Sequence, residues 1–113
     1  MIIIRDTLKC EALRQMAAGM FGDFVKAVVD VDRELLAVDA ELHADLEALL
    51  LEDGSEQKSL WGINLYPEAP AGSFLEFDSL INVRPSQGNK SRGVEDEGMR
   101  KKITAIVEKR LLK

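Results

Sequence analysis

The alternation of apolar and polar positions is clearest in residues 74–84. One set of alternating positions is mostly apolar, and the other is mostly polar with a single leucine. The first set is Leu75, Phe77, Ser79, Ile81 and Val83, and the second is Glu76, Asp78, Leu80, Asn82 and Arg84. A period of two is typical of a strand with one face on a core. The pattern predicts a strand whose polar face is either solvated or a ligand site on rigid backbone.

The same period predicts strands earlier in the chain. Three isoleucines after Met1 indicate a first strand, and a second strand alternates from Phe24 to Val31. The chain then turns near Asp32, and residues 34–38 return to complete a hairpin. Residues 60–66 form another predicted strand. Its apolar side is Trp61, Ile63 and Leu65, and its other side is Gly62, Asn64 and Tyr66.

Three segments instead carry the spacing of helices. The first runs from an N-cap at Thr7 to about Met20, with Gly22 as the stop signal. The second starts at Asp39 or, if the preceding strand continues through Glu41, near Asp45. It ends at Gly54, and its apolar positions are Leu42, Leu46, Leu49 and Leu50.

The third helix covers residues 96–112, with acidic residues at its start and basic residues at its end, as the helix dipole favours. Turn-forming residues fill positions 67–73 and join the last two strands as a second hairpin. The element order is therefore β-α-β-β-α-β-β-α. It predicts a single α+β domain over residues 1–113, with a largely antiparallel five-strand sheet and helices mainly on one face.

Charge divides the chain into two unequal parts. Residues 1–83 carry a net charge of −10 and residues 84–113 carry +5, which together give the overall −5. An acidic body argues against nucleic-acid binding, which requires a basic face. A basic C-terminal segment leaves room for a local anion site, or for a homo-oligomer in which basic and acidic segments meet.

Two features that the sequence lacks bear on where in the cell the protein is expected. Cys10 is the only cysteine, so no internal disulfide can form, and a reducing cytoplasm is the expected location. No apolar run reaches the roughly 20 residues that a membrane-spanning helix needs. We therefore expect no membrane partner.

The segment after the predicted strand is the best candidate for binding a small anionic ligand. Residues 85–93 contain no acidic residue, and glycines flank the string NKSR. Arg84, Lys90 and Arg92 would hold the anionic group, and Asn64, Asn82 and Asn89 would orient it. The spacing is not that of a Walker A motif, and the next helix opens with its own acids. The sequence leaves open whether the polar strand face and this loop converge in space.

A second set of residues suits acid/base chemistry in a small hydrolase or isomerase. His43 is the only histidine, and Asp45 lies two residues after it. Glu76 and Asp78 are two apart on the predicted strand, with α-carbons roughly 6.5 to 7 Å apart. Any acidic pair at this spacing would do the same, so the signal is weak. One histidine predicts neither a metal site nor a cofactor.

Four strings resemble a known family. They are GDFVKAVVD, ELHADLEALLLEDGS, LWGINLYP and FDSLINVRPSQGNKSRGVED, which together span nearly the whole chain. They resemble a small prokaryotic family classified as a domain of unknown function. The resemblance implies a compact cytoplasmic domain and no assigned activity or catalytic residue. A ligand- or partner-binding module is our first functional hypothesis, with an enzyme and a structural homo-oligomer as alternatives.

Overall fold

A computed structural model describes residues 1–113, apart from the side chain of residue 71. Over this part of the chain, strands and helices follow one another in the order β1 (Ile2–Ile4), β2 (Leu8–Lys9), α1 (Cys10–Ala18), β3 (Val25–Asp30), β4 (Leu35–Val38), α2 (His43–Glu52), β5 (Leu60–Leu65), β6 (Leu75–Glu76), α3 (Glu97–Arg110) and β7 (Leu111–Leu112). This is the predicted α+β class, and the predicted α and β segments are all present.

The main sheet has five strands in the order β1-β4-β3-β5-β6, and every neighbouring pair is antiparallel. The predicted five-strand antiparallel sheet is therefore confirmed. The longest pairing joins β3 and β5 along their whole length, from Val25 opposite Leu65 to Asp30 opposite Leu60. These two strands form the longest paired part of the sheet.

Helices cover both faces of this sheet. Residues of α1 and α3 such as Leu13 and Ile103 pack on the face that includes Ala27 and Ile63. On the opposite face, α2 packs through Leu46 and Leu50 against Val28, Ala37 and Leu60. Two of the three helices share a face, as predicted, and α2 alone covers the other. No helix of the described residues is both long and apolar enough to cross a membrane.

The predicted starts of α1 and α2 are wrong. Thr7 does not cap α1, because Leu8 and Lys9 instead pair in parallel with Leu111 and Leu112. Helix α1 ends at Ala18, and Gly22, at φ 96°, donates its backbone N–H to Ala17. Helix α2 begins at His43, between the two predicted starts. Its end before Gly54, which has φ 107°, is as expected.

The predicted boundaries of α3 are off by one residue at the start and two at the end. The side chain of Asp96 accepts a hydrogen bond of 2.8 Å from the backbone N–H of Met99, so Asp96 caps the helix instead of lying in it. Leu111 and Leu112 belong to β7. Pairing with β2 therefore decides where this helix stops.

The long strand predicted over residues 74–84 is wrong beyond its first few positions. Only Leu75 and Glu76 pair with β5. Ser79 then packs directly against Gly62. A Cβ added at Gly62 would lie 2.5 Å from the Ser79 Cβ. A single 3₁₀ turn at Leu80–Asn82 follows. The alternation therefore does not describe the two faces of one strand: Leu80 is 71% exposed, whereas Asn82 is fully buried.

Candidate functional site

A cleft lies where the start of α2 meets the sheet and the turn after β6. Its volume is about 160 Å³, which is room for several water molecules and hence for the headgroup of a small molecule. The polar side chains on its wall are those of Lys26, His43, Ser79 and Arg92, and Leu42 and Leu80 lie at its rim. The cleft joins residues from three distant parts of the sequence.

Strand register brings Lys26 to this cleft. Lys26 lies opposite Asn64, and Asn64 lies opposite Glu76, so the three side chains form a row on one face of the sheet. The Lys26 ammonium lies 5.2 Å from the centre of the Phe21 ring. Among the ion pairs of the described residues, none involves Lys26. Its charge therefore has no carboxylate partner.

His43 forms the buried wall of the cleft. The residue is 8% exposed, and its Nε2 lies 2.8 Å from the carbonyl oxygen of Ile63. Because a carbonyl can only accept, Nε2 carries the proton and donates it. Burial lowers the pKa of His43 below its ordinary value of 6.5, opposed by the hydrogen bond to Ile63. The ring is therefore neutral at pH 7, with the lone pair of Nδ1 free to accept a hydrogen bond.

Arg92 occupies a fixed position at the edge of the cleft. Its backbone oxygen accepts hydrogen bonds of 2.9 Å from the Ser79 N–H and the Asn82 Nδ2. Its Nε donates to Asp78 Oδ1 at 2.7 Å, and both side chains are about half exposed. This ion pair uses Nε, and the described contacts assign no partner to the two terminal nitrogens. Arg92 can therefore donate to a ligand while it stays paired with Asp78.

The N-terminus of α2 opens on the same cleft. Leu42 stands at the N-cap position, and no side chain accepts a hydrogen bond from the first turn. The first backbone N–H groups of a helix have no intrahelical partner and carry a partial positive charge. The Asp45 N–H donates to the Leu42 backbone oxygen at 3.2 Å, and the leucine side chain offers the other N–H groups no acceptor such as serine or aspartate would provide.

The other polar residues of this sheet face bond mainly to one another. Asn64 Nδ2 and the Tyr66 hydroxyl both donate to Glu76 Oε1, at 2.8 and 3.1 Å. The Glu76 carboxylate and burial together raise the pKa of Tyr66, with burial the larger cause. Asn64 Oδ1 is buried and has no hydrogen-bond partner within the part of the chain that the structure describes. Asn64 thus keeps one unused acceptor beside Lys26.

Arg84, a predicted anion ligand, is buried among protein acceptors. Its guanidinium donates to the backbone oxygens of Gln57, Leu60 and Ile81. The same group lies over the Trp61 ring, with 4.3 Å between its central carbon and the ring centre. These contacts hold the start of β5 to the segment after β6. They give Arg84 a structural role, and its ligand role stays a prediction.

Asn82 and Asn89 are also buried in hydrogen bonds to backbone. Asn82 Oδ1 accepts from the Gly62 N–H at 2.8 Å, and its Nδ2 donates to the Gly62 oxygen at 2.9 Å. Asn89 Nδ2 donates to the backbone oxygens of Asn82, Ser91 and Gly93. Each carboxamide therefore acts as a substitute for paired backbone. A ligand role for either residue stays a prediction.

The glycine-containing loop already holds an anion that belongs to the protein. Glu95 Oε2 accepts from the backbone N–H groups of Lys90 and Ser91, at 2.7 and 2.8 Å. These two bonds hold the pKa of the Glu95 carboxyl below its ordinary value. The N–H groups that would cradle a phosphate are occupied by this carboxylate. Lys90 itself is exposed and lies outside the cleft.

The candidate acid/base residues are brought together only in part. His43 lines the cleft, and Asp78 borders it through its ion pair with Arg92. Asp45 is exposed in the first turn of α2 and does not line the cleft, and Glu76 is bonded to Asn64 and Tyr66. The described residues contain no group of three or more His, Cys, Asp or Glu side chains able to hold a metal ion.

Of the six predicted ligand residues, only Arg92 lines the cleft, and Asn64 lies next to its residue Lys26. Sequence reasoning missed Lys26, Leu42 and Leu80 as residues of this site. A signal for Lys26 was present, because the alternation of β3 places it on the face opposite Val25 and Ala27. Leu42 and Leu80 gave no such signal, because each also fits the apolar pattern of its own segment.

Comparison with known proteins yields one match. A family model described as "Protein of unknown function (DUF5674)" matches residues 2–110, which is nearly the whole chain. No curated protein matches the sequence. No solved structure matches it either. The chain therefore belongs to this family of proteins of unknown function, DUF5674.

Proposed function

We propose that the protein binds a small anionic molecule in the cleft at the start of α2. The observation that carries this proposal is the convergence of an unpaired lysine, an arginine and an uncapped helix N-terminus on one cavity. Each of these groups attracts anions by its own charge or dipole. The proposal keeps Arg92 from the sequence hypothesis and replaces Arg84 and Lys90 with Lys26 as the second cation.

His43, on the buried wall of the cleft, would orient the bound anion. His43 presents the lone pair of Nδ1, because Nε2 is bound to Ile63. A neutral acceptor beside two cations suits an anion that also carries a proton, such as a hydrogen phosphate or a hydroxyl next to a carboxylate. The charged oxygens would face Lys26, Arg92 and the helix terminus, and the proton would face His43.

Thermal unfolding with added inorganic phosphate tests this proposal at constant ionic strength. A ligand present at 100 times its dissociation constant stabilises the folded state by roughly 2.7 kcal/mol. We expect phosphate to raise the melting temperature of the native protein and to have little effect on Lys26→Gln. The same measurement with acetate and citrate extends the test to carboxylates.

Lys90→Gln is the matched control, because it removes the same charge from an exposed lysine outside the cleft. This variant should respond to phosphate as the native protein does. If no anion shifts the melting temperature, or if Lys26→Gln keeps the full shift, the cleft is not an anion site.

A small hydrolase or isomerase is the second candidate, and His43 is the observation that favours it. Its neutral imidazole lines the cleft with Nδ1 free, as a general base requires. Under this alternative, His43→Gln would keep ligand affinity and lose turnover. Equal loss of affinity and turnover would instead assign His43 to binding alone.

A further inference from the structure

Two exposed leucines border the cleft. Leu42 is 55% exposed and Leu80 is 71% exposed, and both are in contact with the cavity. They come from different elements, since Leu42 precedes α2 and Leu80 lies in the turn after β6. Single exposed leucines are ordinary on protein surfaces. Two at the mouth of one charged cleft form a local apolar rim.

The local structure explains neither leucine. Leu42 occupies an N-cap position, where a short polar side chain would accept a hydrogen bond from the first turn and the leucine side chain accepts none. Leu80 begins a 3₁₀ turn whose cap is the side chain of Ser79, so the turn forms without help from leucine. Helix α2 packs on the sheet through Leu46 and Leu50, not through Leu42. Each leucine leaves most of its surface in water at the edge of the same cavity.

We infer that the ligand of the cleft is an anion with a small apolar group attached, and that this group packs against Leu42 and Leu80. The inference rests on the proposed function and specifies its ligand class. Charge complementarity places the anionic head at Lys26, Arg92 and the start of α2, which leaves the rest of the molecule to cross the rim. A cavity of about 160 Å³ limits the buried part to a small head, so the apolar group lies over the leucines at the mouth.

Paired ligands with a common head test the inference by isothermal titration calorimetry. Phenyl phosphate should bind the native protein about tenfold more tightly than methyl phosphate, a difference of ~1.4 kcal/mol. Phenylacetate against acetate repeats the comparison for a carboxylate head and shows which head the cleft prefers. In Leu80→Ser, the preference for the phenyl ligand should fall to about twofold, because phenyl phosphate loses more apolar contact than methyl phosphate does.

Val83→Ser is the matched control, because Val83 is also an exposed apolar residue of this segment and does not line the cleft. It should keep the full preference for phenyl phosphate. Leu80 is mostly exposed, so its replacement leaves the fold intact, and a melting temperature equal to that of the native protein verifies this.

The outcomes separate this inference from the proposed function. If the native protein binds phenyl and methyl phosphate equally, or if Leu80→Ser keeps the preference, the apolar rim has no role and anion binding still stands. If neither head binds in any form, the proposed function itself fails. If Lys26→Gln abolishes binding of both phosphates and Leu80→Ser reduces the preference to about twofold, both assignments are supported.

Discussion

At the scale of single residues, His43 shows how burial changes the protonation of a side chain. The ring is held in one tautomer by the Ile63 carbonyl, and its pKa is lowered mainly because burial penalises the charged form. Lys26 and Arg92 lower the pKa further, whereas Asp78 and the Ile63 bond raise it. A histidine in water would be partly charged near pH 6.5. In this cleft the lowered pKa shifts the balance at that pH toward the neutral form.

The titration of His43 gives a prediction with a defined sign. Below pH 6.5 the unfolded chain takes up a proton on His43 that the folded chain does not, so the unfolded state binds more protons. Stability should therefore fall as the pH decreases from 6.5 and should stop falling, for this residue, below the folded pKa. Proton NMR can follow the ring directly, because the chain contains one histidine.

His43→Gln is the comparison that isolates this effect. The carboxyls of Glu34, Asp53 and Glu95 have lowered pKa values, so their stabilisation is lost at lower pH in both proteins. The difference in unfolding free energy between the native protein and His43→Gln should therefore change mainly below pH 6.5. A folded-state pKa at or above 6.5 would contradict the proposed burial effect.

At the scale of elements, a side chain in the segment after β6 makes hydrogen bonds to β5 that a neighbouring strand would otherwise make. The ladder between β5 and β6 covers only Asn64 and Leu65. Beyond it, the Asn82 carboxamide pairs with both the N–H and the oxygen of Gly62, as a neighbouring strand would. The same Nδ2 donates to Arg92. The buried Asn82 amide thus satisfies the backbone of Gly62 at the sheet edge and helps to position Arg92, a residue of the cleft.

Removal of this amide should be costly. Asn82→Ala would leave the Gly62 N–H and the Gly62 oxygen without their partner and would remove one of the two donors to the Arg92 oxygen. We expect a loss of about 3 kcal/mol in unfolding free energy, because a buried polar group left unpaired costs roughly 1 to 3 kcal/mol. Urea denaturation measures this loss.

Two further variants serve as the control and the comparison for Asn82→Ala. Ser86→Ala changes an exposed residue of the same segment and should alter stability by less than about 0.5 kcal/mol. Asn82→Asp keeps the acceptor for Gly62 but removes both donors, so it should also destabilise the protein. A loss below about 1 kcal/mol in Asn82→Ala would show that water or a shifted backbone replaces the amide.

At the scale of the whole molecule, the two ends of the chain are joined. Strand β2 pairs in parallel with β7, and Leu111 is buried in the core formed with α1 and α3. Arg110 donates to the backbone oxygens of Asp6 and Glu34, and Lys109 pairs with the Glu34 carboxylate at 2.8 Å. Part of the basic C-terminal segment is thus bound within the same chain. Self-association through the opposite charges stays a prediction, which mass measurements at low and high salt can check.

This pairing of the ends should contribute measurably to stability. A chain that stops at Arg110 loses the buried Leu111 side chain, a burial worth roughly 1.5 to 3 kcal/mol, and the partner of β2. Denaturant unfolding should detect a loss of at least about 2 kcal/mol. Removal of Lys113 alone, which is exposed, should change little. Equal stability of the two truncated chains would contradict a structural role for β7.

The sequence by itself determined the elements whose patterning is local. The alternation in β3 and β5 and the apolar spacing in α2 and α3 follow directly from which side of each element is buried. From these came the α+β class and the antiparallel five-strand sheet, and the four strings indicated the family. Arg92 could be named as a site candidate because charge is visible in the sequence.

Only the tertiary structure decided the features that depend on residues far apart in the chain. Residues 74–84 alternate like a strand, yet Ser79 packs on Gly62 and Asn82 replaces the ladder, which a local pattern cannot reveal. Arg84 and Arg92 look alike in sequence, but one is enclosed by backbone oxygens and the other borders a cleft. Lys26 meets His43 through strand register and helix placement. Long-range packing decides which polar groups stabilise the fold and which stay free to bind a ligand.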